Sequence, residues 1–163
     1  MRIKKYIMFI LILVMKMKEK TKINKDVLDE LNKGCAMGMD AIKDILEKVE
    51  DAEFKDVLEG EFDKYKEMHQ RIEKKYSEFS KEEPTETNAM NKMMTAMMTE
   101  MKLMTDNSDS KIAELLLQGT NMGIIEGKKL LNHKEHLEKE VEKILKEYIE
   151  MQENSVEIYK QYL

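Results

Sequence analysis

The sequence predicts an all-helical protein, and three properties of the chain favour this fold class. Glycine and proline, which build most turns, number only six and one in 163 residues. From residue 26 onward, apolar residues recur at steps of three and four, which is the spacing of one helix face. The chain is 42% hydrophobic and 37% charged, as amphipathic helices are. A sandwich, a barrel or a βαβ repeat is therefore not expected, and the length suits one domain with its own core.

Charge is distributed unevenly along the chain. The formal net charge is −5, but residues 1–25 hold eight basic residues and one acidic residue, so the remaining 138 residues carry −12. An acidic domain repels phosphate backbones, and we therefore expect no nucleic-acid partner. Cys35 is the only cysteine, which excludes an internal disulfide and a cysteine-based zinc site. This usage fits the reducing cytoplasm.

Residues 1–25 are predicted to form an extension of the domain at residues 26–163. Arg2, Lys4 and Lys5 precede an apolar run at residues 6–15, which has the charged start and the length typical of a signal peptide. No small-residue cleavage site follows, and the run is shorter than the ~17–25 apolar residues that span a bilayer. Three interpretations stay open: a misassigned start upstream of Met15 or Met17, an uncleaved anchor at the membrane surface, or a true signal. Membrane contact is expected only if residues 1–17 are retained.

The first helical hairpin is predicted over residues 26–80. Its first helix begins with Asp26 as N-cap, and the connection at residues 50–52 is too short for anything but an antiparallel turn. Pro84 lies in the polar segment 80–87, which ends the hairpin. The apolar positions are Leu28, Leu31, Cys35, Ile42, Ile45 and Val49 in the first helix, and Phe54, Leu58, Phe62, Tyr65, His69, Ile72, Tyr76 and Phe79 in the second.

A crossover helix at residues 88–104 leads to a second hairpin at residues 109–163. The polar turn at residues 105–110 is rich in N-cap residues and separates the two. The apolar positions of the second hairpin are Ile112, Leu115, Leu116, Met122, Leu130 and Leu131 in its first helix, and Leu137, Val141, Leu145, Tyr148, Ile149, Val156, Tyr159 and Leu163 in its second.

The two hairpins have similar sequences. At an offset of 85 residues, the segment 31–38 (LNKGCAMG) aligns with the segment 116–123 (LLQGTNMG). With two extra residues in the second connection, Phe54 then pairs with Val141 and His69 with Val156. The pattern indicates a duplicated helical hairpin, and chance similarity between amphipathic helices is the alternative.

The chain resembles the ferritin-like superfamily, in particular its small uncharacterised bacterial bundles. The first-hairpin pattern of those proteins corresponds here to Leu31-Asn32, Gly38, Ala41 and the segment 49–55 (VEDAEFK). The resemblance covers residues 26–80 best, and residues 109–163 by topology and the repeat. It implies a ferritin-like four-helix bundle of two hairpins joined by a long crossover, to which this chain adds a methionine-rich crossover helix.

The resemblance raises the question of a di-iron centre. Di-iron members use a Glu on each of two helices and a Glu-x-x-His motif on each of the other two. This chain lacks the motif, because Lys66 lies three residues before His69 and Leu130 lies three before His133. We therefore predict a non-catalytic protein without a cofactor.

Two weaker metal sites remain candidates. His69 is predicted on an apolar helix face, where it is either a satisfied core histidine or a partner of Glu126 in a hydrogen bond or a metal site. His133 and His136 lie at the connection of the second hairpin. They are either part of a solvated turn or the ligands of a surface metal.

The crossover helix presents a broad methionine face. Such a face can pack as core, bind a protein partner or a second copy, or ligate Cu(I) through soft thioethers. We expect a cytoplasmic bundle that self-associates or binds a partner, with metal handling as the alternative. The methionines are Met90, Met93, Met94, Met97, Met98, Met101 and Met104.

All six glycines fall inside predicted helices, where each costs ~1 kcal/mol relative to alanine. Their four-residue spacing predicts grooves in which the two related helices approach closely, or in which a bulky neighbour such as a crossover methionine fits. We therefore expect Gly38→Leu or Gly123→Leu to destabilise the fold far more than Gly60→Leu.

Overall fold

The computed structural model describes residues 2–84, 92–103, 105–132 and 136–163, and this part of the chain is helical without a strand. The prediction of an all-helical protein is confirmed. The helices are α1 (Arg2–Leu46), α2 (Ala52–Tyr76), α3 (Lys92–Leu103), α4 (Asp109–Asn132) and α5 (Lys139–Tyr159), followed by a 3-10 turn at Lys160–Tyr162. Residues 88–91 and 104 of the predicted crossover helix lie outside the described residues.

Two antiparallel hairpins, α1 with α2 and α4 with α5, form the bundle, and α3 packs across α1 and α4. At one end, the ring of Phe54 stacks on that of Tyr162 with centroids 4.0 Å apart, and Lys48 Nζ donates to the carbonyl of Met101 at 2.7 Å. At the other end, residue 24 of α1 meets the connection before α5. Helices α1 and α5 therefore run in one direction and α2 and α4 in the other.

Asn24 fastens the second hairpin to α1. Its amide nitrogen donates to the carbonyl of His136 at 3.2 Å, and its amide oxygen accepts from the backbone N–H of Glu138 at 2.8 Å. Glu138 is the N-cap residue of α5, and its side chain makes no capping hydrogen bond. Asn24 is fully buried. Its two hydrogen bonds therefore satisfy backbone groups of the connection at a place that water reaches poorly.

The short turn between α1 and α2 ends in a side-chain cap. Asp51 has an extended backbone, and its carboxylate accepts a hydrogen bond from the N–H of Phe54 at 2.7 Å. This contact satisfies one of the free donors in the first turn of α2. It fixes the point at which the chain reverses, and so positions α2 against α1.

The predicted start of the first helix at Asp26 is wrong. Helix α1 begins at Arg2 and passes through Asp26, which is an exposed interior position. A capping residue marks the start of a helix only where the residues before it are not helical. Here no glycine or proline, which would interrupt a helix, occurs before Gly34. The extension is thus continuous with the bundle helix, and its residues 4–22 are exposed.

The buried face of α2 differs from the predicted one at four residues. Glu61 and Met68 are buried, with 2% and 6% of their surface exposed, whereas Phe62 and His69 are only half-buried. Glu61 is tolerated in the core because Ser155 Oγ donates to one carboxylate oxygen and Lys64 pairs with the other. The apolar pattern missed this position because the core residue there is charged.

Candidate ligand-binding cavity

A cavity of about 600 Å³ lies between α1 and α4. Met97 and Met101 of α3 close it on one side, and Tyr65 of α2 with Tyr148 and Gln152 of α5 close it on the other. Its size and its position between the helices of a bundle are those of small-molecule sites. Sequence reasoning missed the cavity, although it singled out the glycines that line it.

Glycines on α1 make room for two tyrosine rings. A Cβ added at Gly38 would lie 2.5 Å from Cε1 of Tyr65, and a Cβ at Gly34 would overlap the hydroxyl of Tyr148. Any larger residue at either position would force a ring to move. The α1 groove is therefore filled by aromatic side chains from α2 and α5.

Glycines on α4 line the facing wall. An added Cβ at Gly119 would lie 2.8 Å from Cε of Met97. This contact agrees with the prediction that a crossover methionine fits in a glycine groove. At Gly123 it would lie 3.2 Å from both the Tyr148 hydroxyl and the Gln152 amide oxygen. At their glycines, α1 and α4 therefore face side chains from α2, α3 and α5 rather than each other. Gly60 of α2 has no atom within 4 Å of an added Cβ.

Positions that the repeat makes equivalent meet at this site. Gly34 is equivalent to Gly119 and Gly38 to Gly123 at the offset of 85 residues, and all four line the cavity. The same alignment, with the two extra residues in the connection, equates Tyr65 with Gln152. These two side chains lie at equivalent places in their hairpins and bond to each other across the bundle.

The polar groups of the cavity are few and buried. The hydroxyl of Tyr65 donates to Oε1 of Gln152 at 3.0 Å, and the hydroxyl of Thr120 donates to the carbonyl of Leu116 at 2.8 Å. Gln152 is 1% exposed, and among the described residues its amide nitrogen Nε2 has no hydrogen-bond partner. A buried donor without an acceptor is costly, so Gln152 is an unsatisfied polar position in the wall of the cavity.

Electrostatics distinguish the interior of the cavity from its mouth. Burial raises the pKa of the Tyr65 and Tyr148 hydroxyls well above the ordinary range for tyrosine, so both stay neutral at physiological pH. The mouth carries the exposed carboxylates Glu30, Asp40 and Glu126 against one lysine, Lys33, which pairs with Glu30 at 2.6 Å. The site is therefore apolar and uncharged inside, with an acidic entrance.

Each of the two predicted metal ligands, His69 and Glu126, lies beside a charged residue of its own helix. His69 Nδ1 is 3.5 Å from a carboxylate oxygen of Glu73 on the same helix, and Glu126 is exposed and pairs with Lys129 at 2.7 Å. Within the described residues no three His, Cys, Asp or Glu side chains form a group that could hold a metal ion. The pairing of His69 with Glu126 stays a prediction.

The other candidate ligands are placed only in part. His136 is exposed, and His133 lies outside the described residues. On the crossover helix, Met101 is 1% exposed and belongs to the core, whereas Met97 is half-buried and lines the cavity. The side chains of the other five predicted methionines lie outside what the structure describes.

Comparison with known proteins adds no relative to this picture. The chain matches no family model, no curated protein and no solved structure.

Proposed function

We propose that this protein is a non-catalytic, cytoplasmic bundle of the ferritin-like class that binds a small, largely apolar molecule in the cavity between α1 and α4. The class is supported by the order of the helices, since two hairpins joined by a long crossover are one of the known arrangements of four-helix bundles. Binding is supported above all by the cavity of about 600 Å³, whose mainly apolar wall contains the unpartnered Nε2 of Gln152.

The lining of the cavity indicates the chemistry of the ligand. Nine of the 25 residues that line the cavity are leucine, isoleucine or methionine, and thioethers adapt to ligands of different shape. The Gln152 donor calls for a carbonyl, ether or amine acceptor on the ligand. The carboxylates at the mouth disfavour anions. We infer an uncharged or cationic ligand of drug-like size, with an apolar body and one acceptor.

A pair of fluorescent probes tests this proposal. Phenylnaphthylamine is uncharged and apolar, whereas anilinonaphthalene sulfonate has a similar ring system and a negative charge. We expect the first to bind at least about tenfold more tightly, a difference of ~1.4 kcal/mol. The Ala36→Leu change fills part of the cavity and is expected to weaken binding of the uncharged probe by a further factor of about ten.

Ala96→Leu is the matched control, because Ala96 is exposed on α3 and does not line the cavity. It should leave the affinity unchanged. Equal affinities of the Ala36→Leu and Ala96→Leu chains for the uncharged probe would show that the probe binds elsewhere and would contradict the proposal.

Metal handling is the second candidate, and one observation favours it. Four methionines, Met37, Met97, Met101 and Met122, line the same cavity, and thioether sulfurs are suitable ligands for Cu(I). If copper is the ligand, replacing Met37 and Met122 by leucine should lower the Cu(I) affinity by at least an order of magnitude in competition with a chelator. Unchanged affinity would exclude a Cu(I) site at these residues.

A further inference from the structure

The first half of α1 protrudes from the bundle. We call residues 4–22 the N-terminal arm, because every residue in this range is exposed. Asn24, at the base of the arm, is the first buried residue among the side chains of α1 that the structure describes. At 1.5 Å per residue, the arm extends about 28 Å beyond the end of the bundle.

The middle of the arm is apolar on all sides. Residues 6–15 are ten consecutive apolar residues, and each exposes between 42% and 69% of its surface. A helix that is apolar all round is unfavourable in water unless another apolar phase covers it. An exposed patch of this kind usually marks an interaction site.

Basic residues flank the apolar segment at both ends. Arg2, Lys4 and Lys5 precede it, and Lys16, Lys18, Lys20 and Lys22 follow it, with Glu19 as the one acidic residue before Asp26. The rest of the chain is acidic, so the arm and the bundle carry opposite charge. This asymmetry orients the arm toward a negatively charged surface and the bundle away from it.

We propose that the N-terminal arm binds the surface of an anionic membrane, with its apolar segment at the boundary between the headgroups and the acyl chains. The apolar segment is about 15 Å long, half of the ~30 Å that a spanning helix needs. Within the described residues, no helix has both the length and the apolar composition to cross a bilayer. The lysines at both ends can hold their ammonium groups near lipid phosphates while their stems cover apolar surface.

A second copy of the arm is a poorer occupant of the same surface. Both ends of the apolar segment are basic, so two paired arms would bring like charges together in either the parallel or the antiparallel orientation. An anionic membrane supplies an apolar phase for the apolar segment and negative charges for the flanking lysines.

A single tryptophan placed in the arm tests the proposal, because the chain contains none. Phe9→Trp is expected to show a blue-shifted emission with vesicles that mix phosphatidylglycerol and phosphatidylcholine, and no shift with phosphatidylcholine alone. Leu103→Trp is the matched control, since Leu103 is 74% exposed but lies on α3. It should show no shift with either vesicle.

A second experiment removes positive charge from the N-terminal arm. Changing Lys16, Lys18 and Lys22 to Gln is expected to weaken vesicle binding on the order of 100-fold, since each basic residue near an anionic surface contributes about a factor of five. Changing Lys55, Lys66 and Lys74 of α2 to Gln removes the same charge from exposed positions of the bundle and should have little effect. Unchanged melting temperatures would show that both triple variants fold.

Three results would overturn the proposal. They are equal binding to anionic and neutral vesicles, no binding to either, and a Phe9→Trp shift that grows with protein concentration without lipid. The last result would identify a second copy as the occupant of the arm.

Discussion

Gly38→Leu is expected to lower the melting temperature by about 5–10 °C, since overpacking costs 1–3 kcal/mol or more and each kcal/mol corresponds to ~2–4 °C at this size. The Cβ alone would lie 2.5 Å from both Cε1 and Cζ of Tyr65. The ring cannot retreat cheaply, because it is buried and its hydroxyl is bonded to Gln152. Thermal unfolding followed by circular dichroism measures the shift.

Gly60→Leu is the matched control and should act in the opposite direction. No atom lies within 4 Å of an added Cβ at this exposed position of α2. Replacing a glycine in a helix interior by a better helix former stabilises the helix by up to ~1 kcal/mol, so the melting temperature should rise slightly. Similar melting temperatures for the two variants would refute the close packing of the tyrosine rings against α1.

Cys35 is expected to react with Ellman's reagent at least about a thousandfold more slowly in the native protein than in denaturant, because labelling requires the core to open. The thiol is fully buried, and burial raises the pKa of Cys35 well above the ordinary range for cysteine. The reactive thiolate is therefore scarce in the folded state at neutral pH. Absorbance of the released thiolate measures the rate.

An exposed thiol provides the control for this measurement. A chain with Cys35→Ala and Ser77→Cys places the thiol after the end of α2, at an exposed position, and it should react at similar rates in both conditions. Fast labelling of Cys35 in the native protein would show that α1 opens readily from the bundle. Because the rate depends on opening, the same measurement on the Gly38→Leu chain should show faster labelling than in the parent.

The hairpins were predictable because their cores are regular. The apolar positions from Leu28 to Ile45 and from Val141 to Tyr159 follow the helical period at steps of three, four or seven residues, and no proline interrupts them. The start of α1 was not predictable from Asp26 alone, since a capping residue within a run of good helix formers does not stop a helix. The same local reasoning assigned His69 to the core and missed Glu61, whose burial depends on Ser155 in another helix.

The candidate site was predictable only in outline. The spacing of Gly34, Gly38, Gly119 and Gly123 marked the helix faces that now line the cavity. The occupants of the grooves could not be inferred, because Tyr65 and Tyr148 reach α1 from helices that are distant in sequence. Gln152 gave a signal only through the repeat, which aligns it with Tyr65, since an isolated glutamine on a charged helix usually faces water.

The sequence by itself determined the helical fold class, the two similar hairpins and the positions where helix surfaces are smooth. These are local properties, set by the spacing of apolar residues and by the rarity of glycine and proline. The tertiary structure decided that α1 continues into an exposed arm and that tyrosine and methionine side chains occupy the glycine grooves of α1 and α4 around a cavity. These features depend on which side chains meet between distant segments, and that is set by the packing of the whole bundle.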